Sequence, residues 1–151
     1  TEGTFAFTDR NSKTYTNKID LTRIAMASGK LAVNGTTPVT LPLTGTPPDS
    51  ANLNLELNNQ MVIVSSGPGD MAEAYYDKLK NSIIVLPTAW NKAPNGTVAI
   101  DLEVRNSIST QQGTQLGGDM TISYNTQPLS ATLAKAKPPV KKASASTTGG
   151  K

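Results

Sequence analysis

The stretch "TVAIDLEVR" constrains the fold more than any other. Val98, Ile100, Leu102 and Val104 alternate without a break against Ala99, Asp101, Glu103 and Arg105. Successive side chains of a strand point to opposite faces, so this is a strand with one apolar face and one polar face, the pattern of an antiparallel sheet that is half buried.

The same period recurs along the chain. Phe5 and Phe7 alternate with Thr4, Ala6 and Thr8, and Tyr15, Asn17, Ile19 and Leu21 alternate with polar residues until the phase breaks near Ile24. Leu53, Leu55 and Leu57 lead into Asn58-Asn59, a turn that returns the chain through Met61 to Val64. Asn34-Gly35 offers a further hairpin turn, and Pro42, which lacks a backbone donor, places its strand at an edge. "SIIVLPTAW" adds a short apolar strand ended by Pro87, and Met120, Ile122 and Tyr124 mark a last strand.

One helix is expected near residues 70–81. Asp70 caps it, Glu73 completes a capping box, and Met71, Tyr75 and Leu79 recur at helical spacing. Many short strands, one helix and no βαβ units predict an all-β chain, an antiparallel β-sandwich of the jelly-roll or immunoglobulin-like kind. Its body spans residues 1–130, followed by a basic tail of Lys, Ala, Pro and Ser at 131–151.

Composition removes several chemistries. The chain of 151 residues contains no Cys and no His, so neither a disulfide framework nor a thiolate metal site is available, and the usual general base is missing. Neither an enzyme nor a bound cofactor is expected. No apolar run approaches the roughly 20 residues that span a bilayer, and no basic-then-apolar leader is visible at Thr1, although a cleaved leader would leave the same start.

Charge is unevenly distributed. All 11 acidic residues precede residue 130, where nine Lys and Arg leave a slight negative balance, while Lys135, Lys137, Lys141, Lys142 and Lys151 have no acid among them. Such a tail binds nucleic acid non-specifically through its phosphates, straps a neighbouring subunit, or is a solvated terminus.

Other motifs carry weaker signals. Asn34-Gly35-Thr36 and Asn95-Gly96-Thr97 match the glycosylation acceptor pattern but equally suit tight turns. Asp101 and Glu103 share an outward strand face with Arg105, too few oxygen ligands for a hard cation. Trp90, between Pro87 and Pro94, plugs the end of the sandwich or anchors a subunit contact. Phe5 and Phe7 complete their own sheet or are donated to a neighbour's.

The segment "LKNSIIVLPTAWNKAPNGTVAIDLEVRNSI", residues 79–108, resembles the final strand pair of jelly-roll coat proteins from small icosahedral RNA viruses. That resemblance implies a self-assembling virion protein, a homo-oligomeric coat or capsid-associated subunit located in the particle. In such proteins the basic arm is typically at the amino end, whereas here the lysines follow the last strand. Two alternatives stand beside it: an extracellular pilus or fibre subunit assembling by strand exchange, and a small carbohydrate- or ligand-binding β module.

Overall fold

The strands expected from alternation form in the computed structural model, which describes residues 2–135 apart from 21, 28, 50, 70 and 114–117. β1 (Glu2–Thr8) and β2 (Thr14–Asp20) make a two-stranded antiparallel hairpin. The body holds two larger sheets. One runs in the order β3 (Ala25–Met26), β5 (Val39–Thr44), β10 (Ser82–Val85), β9 (Ala74–Asp77), β8 (Val64–Ser65). The other runs β4 (Leu31–Val33), β13 (Leu129–Leu133), β11 (Gly96–Ser109), β6 (Ala51–Leu57), β7 (Gln60–Val62), with β12 (Asp119–Asn125) also on β11.

One apolar cluster joins the sheets. Ile24, Met26, Leu41, Leu43, Ile83 and Val85 meet Leu55, Leu57, Val98, Ile100, Leu102 and Val104 within it. This is an all-β sandwich. Its strand order, with β5 between β3 and β10 and with β11 between β13 and β6, follows the immunoglobulin-like option rather than the jelly roll. β11 is the axis of its sheet: β6 lies along one edge, and β13 and then β12 share the other. Thr126 N donates to Leu102 O at 2.8 Å where the chain steps between those two strands.

Several local expectations need correction. Residues 74–77 form strand β9 rather than the helix expected near 70–81. Met71 and Leu79, two members of the supposed apolar stripe, are 84% and 99% exposed, so the helical spacing marked no buried face. Glu73 does not serve a cap; it accepts from Ile63 N at 3.0 Å and pairs with Lys92 at 2.6 Å. The Asp70 cap lies outside the described residues. Among the described residues the helix is instead α1 (Pro87–Trp90), one turn that begins on a proline whose missing N–H no helix start needs.

The turn at Asn34-Gly35 forms but joins no hairpin. Asn34 Oδ1 accepts from Thr36 N at 2.9 Å and Thr37 N at 3.1 Å, and Gly35 takes φ +74°. Yet β4 pairs in parallel with β13 while β5 pairs with β3 and β10, so the turn carries the chain from one sheet to the other. β5 is also not an edge. β10 pairs with it from Val39 to Pro42 on one side and β3 at Leu43 and Thr44 on the other, and Pro42, at the end of the β10 register, still accepts from Ala27 N at 2.8 Å. By contrast, Asn58 and Asn59 take φ +49° and +61° and turn β6 into β7 as expected.

β13 carries the body past residue 130, to Leu133, and the next residues are pinned as well. Ala134 N donates to Val33 O, and Lys135 N to Asn95 Oδ1, both at 2.9 Å. Among the described residues no helix is long and apolar enough to cross a membrane.

Candidate ligand-binding cleft

The cleft arises where the second sheet loses a neighbour. β6 pairs with β11 along the whole of β6, from Ala51 to Leu57, but β7 pairs only with Leu55–Leu57. Among the described residues, Ala51–Asn54 therefore have no strand beside them on that side. β8 lies next in the chain but joins the other sheet, beside β9. Between the two sheets opens a cleft of about 400 Å³, walled by Pro47, Pro48 and Asp49, by Ala51–Asn54, by Val64, Ser65 and Ser66, and by Tyr76 and Lys78.

Its walls are held from behind. Tyr76 is half-buried, and its hydroxyl donates to Asn81 Oδ1 at 2.8 Å. Asn81, at φ +47°, donates through Nδ2 to Leu43 O and Gly45 O at 3.0 Å each, fixing the start of the proline loop. Gly45 permits that loop: it takes φ +75°, and a Cβ there would lie 2.5 Å from Arg23 O. Burial pushes the Tyr76 hydroxyl up from its ordinary pKa, with the charge of Lys78 opposing, so the ring stays neutral. At the rim Lys78 Nζ meets Asp49 Oδ1 at 2.7 Å, and that hydrogen bond and its charge hold Asp49 below the usual carboxylate range.

A second depression, about 390 Å³, adjoins the first on the outer face of the sheet. Asn54, Glu56, Asn59, Asp101, Glu103 and Asn125 line it, and Asn54 lines both. Asn54 Nδ2 donates to Glu103 Oε2 at 2.8 Å, and Arg105 reaches Glu103 Oε1 at 3.3 Å. The hydrogen bond from Asn54, then that from Arg105 and its charge, outweigh desolvation and keep the Glu103 carboxylate below its ordinary range. Asp101 and Glu103 thus sit in a polar surface; among the described residues no group of three or more His, Cys, Asp or Glu is arranged to hold a metal ion.

Of the other residues singled out from sequence, those described lie away from this cleft. Trp90 is fully buried in the core, so it is the plug and not an exposed anchor; its Nε1 has no hydrogen-bond partner among the described residues. Phe7 stacks on Tyr15 with ring centroids 5.0 Å apart, while Phe5 is 45% exposed. The strand that carries them pairs with β2 of its own chain along its full length. Lys135 is half-buried and donates through Nζ to Asn91 O at 3.1 Å and Ala93 O at 2.6 Å. It closes the turn after α1. Lys137, Lys141, Lys142 and Lys151 lie outside the described residues.

Sequence reading missed the cleft. In the sequence Asn52 and Asn54 simply alternate with Leu53, Leu55 and Leu57, and Tyr76 falls inside the helix expected near residues 70–81. The one available signal was "GTPPDS", a stiff loop directly before an Asn-rich strand.

No protein-family model and no curated protein matches the chain. Among solved structures it is similar to SGBP-B of the mixed-linkage glucan utilization locus of Bacteroides ovatus, determined in complex with a mixed-linkage heptasaccharide. The identity is 14% and the TM-score 0.33, and the match covers 89% of this chain and 25% of that one. This chain thus spans about a quarter of that protein's length, and a likeness of this degree transfers neither family nor ligand. The coat-subunit expectation is corrected by the fold: β10 and β11, the supposed final strand pair, do not pair but lie in different sheets, and the strand order follows the immunoglobulin-like option and not the jelly roll.

Proposed function

We propose that the protein is a non-catalytic binding module that takes an uncharged carbohydrate in the cleft beside β6. The mixed lining of that cleft carries the reading. Prolines, Leu53, Val64 and the Tyr76 ring give the lining apolar surface for a sugar's C–H face, and Asn52, Asn54, Ser65 and Ser66 line the same cleft. Amides both donate and accept, as a pair of neighbouring sugar hydroxyls requires. The cleft also has the volume of small-molecule sites, which combine apolar walls with a few fixed polar groups. Lys78 and Asp49 neutralise each other at the rim, so the cleft adds no net charge for an ionic ligand.

Calorimetric titration with cello-, xylo- and malto-oligosaccharides tests this. Saturable binding of at least one series, weakened roughly tenfold or more by Asn52→Ala, is expected from loss of one or two hydrogen bonds. Absence of binding by all three series, or binding that Asn52→Ala leaves untouched, overturns it.

A further inference from the structure

Two depressions that share one residue suggest a ligand longer than either. Asn52, Asn54 and Glu56 follow one another on the outward side of β6, and at about 3.4 Å per residue they span roughly 14 Å. A monosaccharide in the cleft would leave Glu56, Asn59 and Asp101 untouched. Asn54 stands where the two spaces meet. One of its amide hydrogens is committed to Glu103, which fixes the plane of the amide and leaves the other N–H and the carbonyl oxygen for a ligand crossing over it.

The far depression restricts the ligand's charge. Glu56 and Asp101 are directly opposed in the sheet, an arrangement that costs stability between like charges. Glu103 adds a third carboxylate, and Arg105 is the cation that meets it. Carboxylates accept from hydroxyls and repel anions. Neither a uronate or sulfated chain nor a nucleic acid suits this surface.

We infer that the ligand is a linear, uncharged glycan that lies along β6, with one end in the cleft and its continuation over Asn54 against Glu56 and Asp101. This rests on the proposed carbohydrate reading of the cleft and extends it to a second subsite. Hydroxyls of the continuing chain donate to the two carboxylates.

The test is a ladder of neutral oligosaccharides, from the disaccharide to the hexasaccharide of the series that binds, titrated into the full chain, into Asp101→Asn and into Glu56→Gln. Affinity is expected to rise with length. Each variant should weaken the hexasaccharide roughly tenfold, as loss of a hydrogen bond to a charged group implies, and leave the disaccharide unchanged. Both substitutions conserve shape, and a thermal melt of each confirms folding. Equal affinity for disaccharide and hexasaccharide, or variants that affect neither, overturns the inference while the cleft reading stands. Failure of every neutral sugar at every length removes the cleft reading as well. Tighter binding of polygalacturonate than of the neutral hexasaccharide overturns the charge argument.

Discussion

The body and the β1–β2 hairpin are built from the same alternating pattern and are held by opposite means. In the body, Val98, Ile100, Leu102 and Val104 are buried against the facing sheet. In the hairpin, Phe5, Phe7, Tyr15 and Asn17 share a face, but its connection to the body is polar. Asn17 is fully buried; its Nδ2 donates to Gln112 O at 3.0 Å and its Oδ1 accepts from Gln112 N at 2.8 Å. The side chains of Gln112 and Gln111 accept from Thr16 N and Lys18 N at 3.0 and 3.1 Å, closing the free edge of β2 as a strand would. Alternation specifies a strand; what lies opposite decides whether its apolar face becomes core.

The largest effect belongs to the body. Leu102→Ala removes a fully buried side chain between the sheets and should cost about 2–5 kcal/mol. Denaturant unfolding followed by Trp90 fluorescence reads it directly. A cost under about 1 kcal/mol would mean that the two sheets do not share one core.

Asn17→Ala comes next and should act locally. It leaves both backbone groups of Gln112 without their partner, a loss of about 1–3 kcal/mol, and an isolated two-stranded hairpin has little stability of its own. Amide hydrogen exchange in β1 and β2 should accelerate while the denaturation midpoint of the body moves little. An equal fall in both would show that the hairpin and the body unfold as one unit.

This contrast also marks what could be read from the chain. β11 and the β6–β7 turn were legible because each depends on residues near in sequence: four alternating aliphatics, or two asparagines that tolerate positive φ. β4, β8 and β9 were not, because segments of two to four residues show too little alternation to stand out, and their pairing is set by the sheets: β4 runs parallel to β13 far along the chain, and β8 parallel to β9, which β10 pairs on its other side. The Met71, Tyr75, Leu79 spacing imitated a helix because nothing local distinguishes an exposed apolar residue from a buried one. The cleft was illegible for the same reason. It is a gap left where β7 stops short and β8 crosses to the other sheet, and Asn52 and Tyr76 meet only across that gap.

Within the body, Glu73 is the counterpart of Asn17, a polar pin that ties the β7–β8 join to the loop after α1. Desolvation raises its pKa, but hydrogen bonds from Lys92 and Ile63 N, with the charge of Lys92, more than offset it and leave the carboxyl below its ordinary range. Folding therefore favours the charged form. The contribution is complete above the unfolded-chain pKa of about 4.3 and is lost as pH falls through the lower folded value. Lys92 is 40% exposed, so after allowance for solvent screening Glu73→Gln should cost about 1 kcal/mol at neutral pH, with the difference from wild type shrinking in acid. A difference that stays constant through that range would assign the effect to packing and not to charge.

Phe5 supplies the smallest effect and the sharpest use of the comparison. Its ring is 6.2 Å from that of Phe7 and nearly half exposed, so Phe5→Ser removes little buried area. A change within about 0.5 kcal/mol is expected in the isolated chain, measured by the same hydrogen exchange used for Asn17. If Phe5→Ser instead loosened the hairpin as much as Asn17→Ala, the aromatic row and not the amide pair would be holding it. The hairpin would then be a small apolar unit of the same kind as the body, and the distinction between the two regions would be one of size alone.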